Sequence, residues 1–258
     1  MAGILAGKKF LVMGVANKRS IAWGCAEQIK AQGGEVVYSY QNDRLEKSLL
    51  KLGLAEEEMV ECDVASDESI DAAFDQVKEK FGQIDGLVHA VAFAPKNELE
   101  GSILNSSREG YLTAQNISSY SLIAVAKAAQ EKELLAPKAS IVTLTFIGSE
   151  RAITNYNTMG IAKAALESSV RYLARDLARE LGKTGSRVNA ISAGAMKTLA
   201  VTGIGGHKDL LEQSRSLTVD GVNVSLEELG NCCAFLLSDL STGLTGDIIY
   251  VDKGVHLS

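Results

Sequence analysis

The sequence predicts an α/β fold, a single doubly wound Rossmann-type domain with a parallel sheet of about seven strands and helices on both faces. Two observations predict it. Short apolar runs alternate with helix-type patterns along all 258 residues, with no repeat, low-complexity tract or internal linker. In addition, a glycine turn and a helix follow the first apolar run, the arrangement that opens a nucleotide-binding βαβ unit. We therefore expect residues 1–258 to form one dinucleotide-binding domain.

The boundaries of the elements follow from the apolar runs and the turn residues between them. Residues Val201–Val224 are rich in glycine and polar residues and have weak periodicity, so we expect a mobile substrate lid at about 195–224. Helical periodicity predicts helices at Ser20–Gln32, Asp67–Phe81, Arg108–Lys132, 155–180 and Leu226–Leu237. Apolar runs predict strands at Lys8–Met13, Glu35–Tyr40, Glu58–Val64, Gly86–Phe93, Ala139–Thr145, Arg187–Ile191 and Asp247–Val251.

Composition excludes several classes of protein. Hydrophobic residues make up 46% of the chain and charged residues 22%, which is ordinary for a globular protein. The net charge of −6 argues against nucleic acid as the main partner, and no apolar run is long enough to span a bilayer. No basic region precedes the short apolar stretch at the start, and the cysteines and histidines lack the spacing of a metal site. We expect a cytoplasmic protein with reduced thiols, no metal, and neither nucleic acid nor membrane as a partner.

The first turn has the chemistry of a pyrophosphate site. Gly14 ends the first strand, and the helix that follows begins near Ser20. A strand, a glycine turn and a helix amino terminus together bind an anion such as pyrophosphate. The glycine fingerprint is only partial, since Lys18 and Ser20 stand where later glycines are expected. A plain turn at Gly14 therefore remains an alternative.

The ends of the second and third strands bear on the choice of dinucleotide. Gln41 follows the second strand and can hydrogen-bond a free ribose hydroxyl, and the first basic residue after it is Arg44. This pattern favours NADH over NADPH, unless Arg44 swings in. Asp63 ends the third strand and could reach the exocyclic amine of adenine, although aspartate is equally common as a turn residue. Ala94 lies just beyond the fourth strand, at the edge where ligands bind in such sheets.

Tyr156 and Lys163 form the candidate catalytic pair. They are seven residues apart, very nearly two helical turns at about 3.6 residues per turn, so in a helix they share one face. An ammonium near a phenol favours the phenolate and strengthens the phenol as a donor, which would stabilise negative charge on a substrate oxygen. The alternative is an ordinary amphipathic helix in which Lys163 is solvated and Tyr156 is packed.

Taken together, these motifs resemble the bacterial enoyl-acyl-carrier-protein reductases of the short-chain dehydrogenase/reductase superfamily, over essentially the whole chain. Ordinary carbonyl-reducing members carry Tyr-x3-Lys with a serine about thirteen residues before the tyrosine. Here those two positions hold Met159 and Phe146, which cannot donate a proton. The motifs that carry the resemblance are Gly14-x5-Ser20-Ile21-Ala22, Asp63-Val64, SREGY at 107–111, ISSYS at 117–121, Tyr156-x6-Lys163, NAISAG at 189–194 and SDLSTGLTG at 238–246.

The resemblance implies NADH-dependent reduction of the trans-2 double bond of enoyl-acyl-carrier-protein thioesters, the last reductive step of type II fatty-acid elongation. Tyr156 would hydrogen-bond the thioester oxygen as charge builds on it, and Lys163 would hold the nicotinamide ribose hydroxyls. The substrate would contact Ala94, Tyr156 and Met159. The implied partners are the acyl carrier protein and copies of the chain itself, in a homotetramer usually formed through helices at 108–132 and 155–180. The implied cofactor contacts are Gly14, Ser20, Ile21, Gln41, Asp63, Val64, Val91, Lys163, Met196, Lys197, Thr198, Leu199 and Ala200.

The chain departs from the family pattern at three places. Phe146 replaces a second tyrosine, Ala195 replaces a stiffening proline, and the segment at 217–223 lacks the usual proline and basic pair. Our hypothesis is that these changes loosen the lid and alter chain-length preference or inhibitor binding without abolishing reduction. Two other functions stay open, a short-chain oxidoreductase on another enone or ketone and a non-catalytic NADH-binding regulator. Candidate docking residues for the acidic carrier protein are Lys197, His207 and Lys208, unless they are simply solvated.

Overall fold

Parallel strands form one continuous sheet in the order β3-β2-β1-β4-β5-β6-β7. The order reverses between β1 and β4, and at such a switch point the carboxyl ends of the strands open a crevice for ligands. This arrangement confirms the predicted fold class. A computed structural model describes residues 2–180, 184–196 and 207–258. Its strands are β1 (Lys9–Met13), β2 (Glu35–Tyr40), β3 (Met59–Glu61), β4 (Ile84–His89), β5 (Leu135–Thr145), β6 (Arg187–Ala193) and β7 (Ile248–Val251).

Helices cover both faces of the sheet, and a separate apolar core lies on each side. Successive residues of β1 alternate between the two cores, because side chains of a strand point to opposite faces. Helices α3, α5 and α6 pack on one core, and α1 and α8 on the other. The helices are α1 (Ile21–Ala31), α2 (Asp43–Leu50), α3 (Asp67–Phe81), α4 (Arg108–Gln115), α5 (Ser121–Glu131), α6 (Asn157–Glu180), α7 (His207–Leu217) and α8 (Leu226–Leu237).

Several boundaries differ from the sequence prediction. The predicted helix Arg108–Lys132 is interrupted by a π turn at Asn116–Tyr120, which separates α4 from α5. The strand predicted at Gly86–Phe93 ends at His89, although the apolar run continues, because the following backbone bonds to other segments: Phe93 N and O both bond Ser118 Oγ. These shifts come from tertiary contacts that periodicity does not record.

Two helices lie where the sequence predicts none. Helix α2 has eight residues and buries only Leu49, so its apolar pattern is too short to detect; the Asn42 side chain caps it by accepting from Leu45 N at 3.2 Å. Helix α7 lies inside the segment at 195–224 that is predicted to be a mobile substrate lid. Within the described ranges, no helix is both long and apolar enough to cross a membrane.

Candidate active site

Gly14 fixes the floor of the crevice where β1 and β4 end. Its φ is +96°, and a Cβ there would lie 2.1 Å from the carbonyl oxygen of Ala90. Only glycine tolerates both the left-handed backbone and this approach. Gly14 is therefore more than a permissive turn residue, because it lets the two strand ends meet at the switch point.

Ser20 orders the glycine turn beside this floor. Its Oγ accepts hydrogen bonds from the backbone N–H groups of Ala16 at 3.0 Å and Asn17 at 3.1 Å. Because the hydroxyl turns back into the loop, no side chain caps the amino end of α1, which begins at Ile21. Uncapped amides and the positive end of the helix dipole are suited to a phosphate group.

Gln41 and Asp63 meet at the ends of β2 and β3. Gln41 Nε2 donates to Asp63 Oδ1 at 3.4 Å, so the structure brings together two residues that the sequence predicts for the adenosine. The same carboxylate oxygen accepts from Ala65 N at 3.0 Å, which is the turn role left open as an alternative. Val64, beside them, is buried in the core that contains α3, and Val91 packs against the same core from the crevice.

Tyr156 lies just before α6 and not within it, since the helix begins at Asn157. Its ring meets Phe146 edge to face at 5.2 Å between centroids, and packs on an apolar cluster that includes Ala94 and Met159. Burial raises the pKa of Tyr156, and the negative charge of Glu167 raises it further. In the protein alone, burial therefore favours the neutral phenol, which is the opposite direction to the one expected from a nearby ammonium.

Lys163 is buried, with 6% of its surface exposed, so the solvated alternative is wrong. Its Nζ donates to the carbonyl oxygen of Leu144 at 2.7 Å. Burial lowers the pKa of Lys163 to about 8, and the Glu167 carboxylate one turn along the helix offsets part of that fall. Glu167 is itself buried and accepts from Thr145 Oγ1 at 2.6 Å. The amine therefore sits at the carboxyl end of β5, beside the crevice.

His89 is a buried member of the same region that the sequence did not single out. Nδ1 lies 3.0 Å from Thr143 Oγ1, and Nε2 lies 2.8 Å from Ser121 Oγ. Burial, then the charge of Lys163, lower the pKa of His89 to about 3. A neutral imidazole carries one N–H and donates it to one hydroxyl; the other hydroxyl can donate to the ring only in place of its bond to a backbone carbonyl oxygen, which is His89 O for Thr143 and Ile117 O for Ser121. The only sequence signal was a polar residue closing an apolar strand.

A cavity of about 390 Å³ opens beside Phe146. Its lining includes Ala195, one of the departures from the family pattern, and Val255 from the segment after β7. Helix α7, within the predicted lid, contributes Leu210 and Leu217 to the same lining. The cavity is thus bounded by segments that follow β5, β6 and β7 at one edge of the sheet.

Some of the predicted residues cannot be placed in this geometry. Met196 is buried against the core that contains α1, while the predicted cofactor contacts Lys197, Thr198, Leu199 and Ala200 lie outside the described residues. The side chains of His207 and Lys208 also lie outside them. Among the described residues, no group of three or more His, Cys, Asp or Glu side chains could hold a metal.

Comparisons with known proteins agree along the whole chain. A family model described as enoyl-(acyl carrier protein) reductase matches residues 14–256. The NADH-dependent enoyl-[acyl-carrier-protein] reductase FabI of Enterococcus faecalis is 58% identical over 254 residues, which cover 98% of this chain and 99% of that protein. The crystal structure of the NADH enoyl-[acyl-carrier-protein] reductase of Aquifex aeolicus superposes with a TM-score of 0.93 at 41% identity, covering 99% of both chains. That of the Bacillus cereus enzyme, with NADP+ and an indole naphthyridinone, gives 0.92 at 43% identity, also covering 99% of both chains.

Proposed function

The chain belongs to the enoyl-(acyl carrier protein) reductase family, and we propose that it reduces the trans-2 double bond of enoyl-acyl-carrier-protein thioesters with NADH. The single observation that carries the proposal is the environment of the Tyr156 phenol. Its phenol is protonated, packs against Ala94 and Met159, and touches the Phe146 ring that lines the cavity. A proton donor beside a cavity whose lining includes Ile147, Leu210 and Val255, at the carboxyl edge of the sheet, suits a thioester with an apolar acyl chain.

The dinucleotide fits the residues present. Gly14 lets the ends of β1 and β4 meet at the floor of the crevice, and the uncapped start of α1 at Ile21 offers amide donors to a pyrophosphate, with Ser20 holding the turn. Gln41, Asp63 and Val64 would meet the adenosine at the ends of β2 and β3. When bound, NADH supplies the hydride that is added to the β-carbon.

Gln41 and Asp63 favour NADH because neither is basic, and a ribose 2′-phosphate near a carboxylate would be repelled. The Bacillus cereus relative was nevertheless crystallised with NADP+. We therefore propose the preference of this chain for NADH over NADPH separately from its activity. Initial rates with NADH and NADPH at equal concentration test it, and equal kcat/KM values would refute it.

Tyr156 would donate a hydrogen bond to the thioester oxygen on which charge accumulates during reduction. A raised pKa keeps this proton in place at neutral pH, and the stabilisation is made mainly in the transition state. Lys163, anchored by the Leu144 carbonyl oxygen, would direct its remaining N–H groups to the nicotinamide ribose. Met159 and Ala94 would contact the substrate on the other side of the phenol.

Assembly and location are further parts of the proposal. Leu112, Ile123, Ile161 and Tyr172 expose much of their apolar surface on α4, α5 and α6. Such exposed apolar surface supports a homotetramer formed through these helices. We place the assembly in the cytoplasm, where the acyl carrier protein would dock. Sedimentation equilibrium tests the assembly, and a concentration-independent monomer would refute it.

The deciding experiment follows NADH absorbance with a crotonyl thioester, for wild type and Tyr156→Phe. We expect wild-type turnover, and a loss on the order of 100- to 1000-fold in kcat for the variant with unchanged NADH affinity. Tight NADH binding without turnover of any enoyl thioester would favour a non-catalytic regulator. Turnover of simple ketones in place of enoyl thioesters would favour another short-chain oxidoreductase.

A further inference from the structure

The loop between β4 and α4 is hydrogen-bonded to residues on both sides of Tyr156. Gly101 N donates to Asn155 Oδ1 at 3.4 Å, and Asn157 Nδ2 donates to Gly101 O at 3.1 Å. Thr158 Oγ1 donates to the carbonyl oxygen of Glu98 at 3.2 Å. Three of the four nearest chain neighbours of the phenol are thus attached to residues 98–101 of one loop.

These attachments matter because Tyr156 has no regular structure on its amino-terminal side. Asn155 has φ +59°, a left-handed conformation that few residues other than glycine adopt, and α6 begins only after the tyrosine. The backbone ladder of the helix therefore does not set the direction of the phenol by itself. Contacts from other segments must do so.

The Glu98 side chain fixes this loop from within. It is 2% exposed, and its carboxylate accepts from Ser107 Oγ at 2.6 Å and from Ser107 N at 3.1 Å. Ser107 in turn caps α4 by accepting from Gly110 N at 2.9 Å. The fit is close, since a Cβ on Gly110 would lie 2.2 Å from the Glu98 carboxyl carbon.

A buried carboxylate is costly unless it is well bonded, and within the described part of the chain no lysine, arginine or histidine forms an ion pair with Glu98. The desolvation cost of the Glu98 carboxylate is offset instead by its hydrogen bonds to Ser107 and by the positive amino end of α4. An apolar residue would avoid the desolvation cost. The carboxylate therefore fixes the conformation of the loop rather than adding to the free energy of unfolding.

Packing transmits the same constraint to the phenol. Leu99, next to Glu98, and Ala94, at the start of the loop, belong to the small apolar cluster with Met159 and Ala114 against which Tyr156 lies. A shift of the loop would consequently move both the hydrogen-bonded neighbours of the tyrosine and the surface beneath its ring.

We infer that Glu98 is a positioning residue for Tyr156: its carboxylate holds the loop that aims the phenol at the substrate. This inference rests on the proposed function. The Glu98 carboxylate bonds Ser107 at the start of α4, so we expect it to act on the reaction through the loop and the tyrosine. Displacing a reacting group by about 1 Å can cost up to 100-fold in rate, which makes even a small loosening measurable.

A double-mutant cycle in the full-length protein tests the inference, with a crotonyl thioester and NADH as substrates. We expect Glu98→Ala to lower kcat about 10-fold or more in the wild-type background and to leave the NADH KM unchanged. In the Tyr156→Phe background the same change should have almost no further effect, because there is no phenolic proton left to aim. Glu98→Gln, which keeps one acceptor oxygen for Ser107, should restore much of the rate.

Glu100→Ala is the matched control. Glu100 belongs to the same loop, and among the described residues its ion-pair partner is Lys96, at 3.6 Å on the surface, so its removal should leave kcat unchanged. An equal loss from Glu98→Ala in both backgrounds would mean a structural role and overturn the inference, as would unchanged kcat in an active enzyme. If Glu98→Ala does not fold, the cycle is run on the same criteria with Glu98→Leu, which fills the space but removes both oxygens that accept from Ser107. An inactive wild type would overturn the proposed function and this inference together.

Discussion

The rings of Phe146 and Tyr156 meet edge to face, with centroids 5.2 Å apart and planes at 70°. Such a contact contributes about 0.5–1.5 kcal/mol beyond the burial of the rings. Gly148 bounds the phenol as well, since a Cβ there would lie 2.5 Å from the tyrosine ring. Phe146 thus has two roles in the site, as packing for the proposed proton donor and as lining of the cavity.

Phe146→Tyr tests the second of these roles. The new hydroxyl would enlarge the side chain that lines the cavity and reduce the room proposed for the acyl chain. We expect reduction to persist, with kcat/KM for long enoyl thioesters lowered about tenfold relative to the crotonyl thioester. Steady-state assays over several chain lengths measure this.

Ala195→Pro is the companion substitution, because Ala195 lines the same cavity where the family usually has proline. We expect the stiffer backbone to change the chain-length profile and to leave reduction of the crotonyl thioester intact. If neither Phe146→Tyr nor Ala195→Pro moves the kinetics or the profile, the hypothesis that these two departures tune the acyl site is wrong.

Val255 should limit the length of the acyl chain. Its side chain lines the cavity of about 390 Å³ from the segment after β7. That segment is held by Asp252, whose carboxylate accepts from Gly254 N at 3.0 Å and His256 N at 2.9 Å. We expect Val255→Phe to lower kcat/KM for long enoyl thioesters about tenfold, and Val255→Ala to raise it, with little change for the crotonyl thioester.

Leu257→Ala is the control for these variants, because Leu257 is 76% exposed and does not line the cavity. It should leave every chain length unaffected. Equal effects of the two Val255 variants on short and long substrates would show that this cavity does not hold the acyl chain.

NADH binding should weaken as the pH rises through about 8, where Lys163 loses its charge. The Kd rises with pH because the negative phosphates of the dinucleotide favour the charged form of Lys163. Above that pH, NADH binding must therefore take up a proton, and the Kd rises by at most tenfold per pH unit. Fluorescence titration of NADH between pH of about 6.5 and 9.5 measures this.

Lys163→Gln should bind NADH more weakly below pH 8 and show a flat profile. Glutamine can still donate a hydrogen bond but cannot carry a charge. The same upward trend in Kd for this variant would exclude Lys163 as the group that titrates.

His89 should make the protein less stable in mild acid. Its pKa falls from 6.5 to about 3 on folding, so between these values the unfolded chain binds a proton that the folded protein refuses. Stability is therefore complete above pH 6.5 and declines as the pH falls; at pH of about 5 the loss is about 2 kcal/mol. Urea unfolding at pH of about 7.5 and 5 measures it.

The comparison that isolates this residue is His89→Gln. The variant should be less stable throughout, because the bonds to Thr143 and Ser121 are disturbed. Its loss between the two pH values should nevertheless be smaller than that of wild type by about 2 kcal/mol. Identical pH dependence in the two proteins would assign the acid sensitivity to other groups.

The sequence by itself determined the fold class and the framework of the site. Alternating apolar runs and helical periods predict a doubly wound sheet, because both patterns depend only on residues close together in the chain. The turn at Gly14 and the spacing of Tyr156 and Lys163 were likewise visible along the chain. Family motifs then pointed to the chemistry, with Phe146 as the visible departure.

Only the tertiary structure decided how these groups behave. The raised pKa of Tyr156, the lowered pKa of Lys163 and the involvement of His89 depend on burial and on charges contributed by other elements. Nothing in the sequence distinguishes Glu98 from other glutamates, yet the fold buries it against Ser107. The physical reason is that desolvation and hydrogen bonding are set by whatever atoms surround a group, and those atoms come mostly from distant parts of the chain.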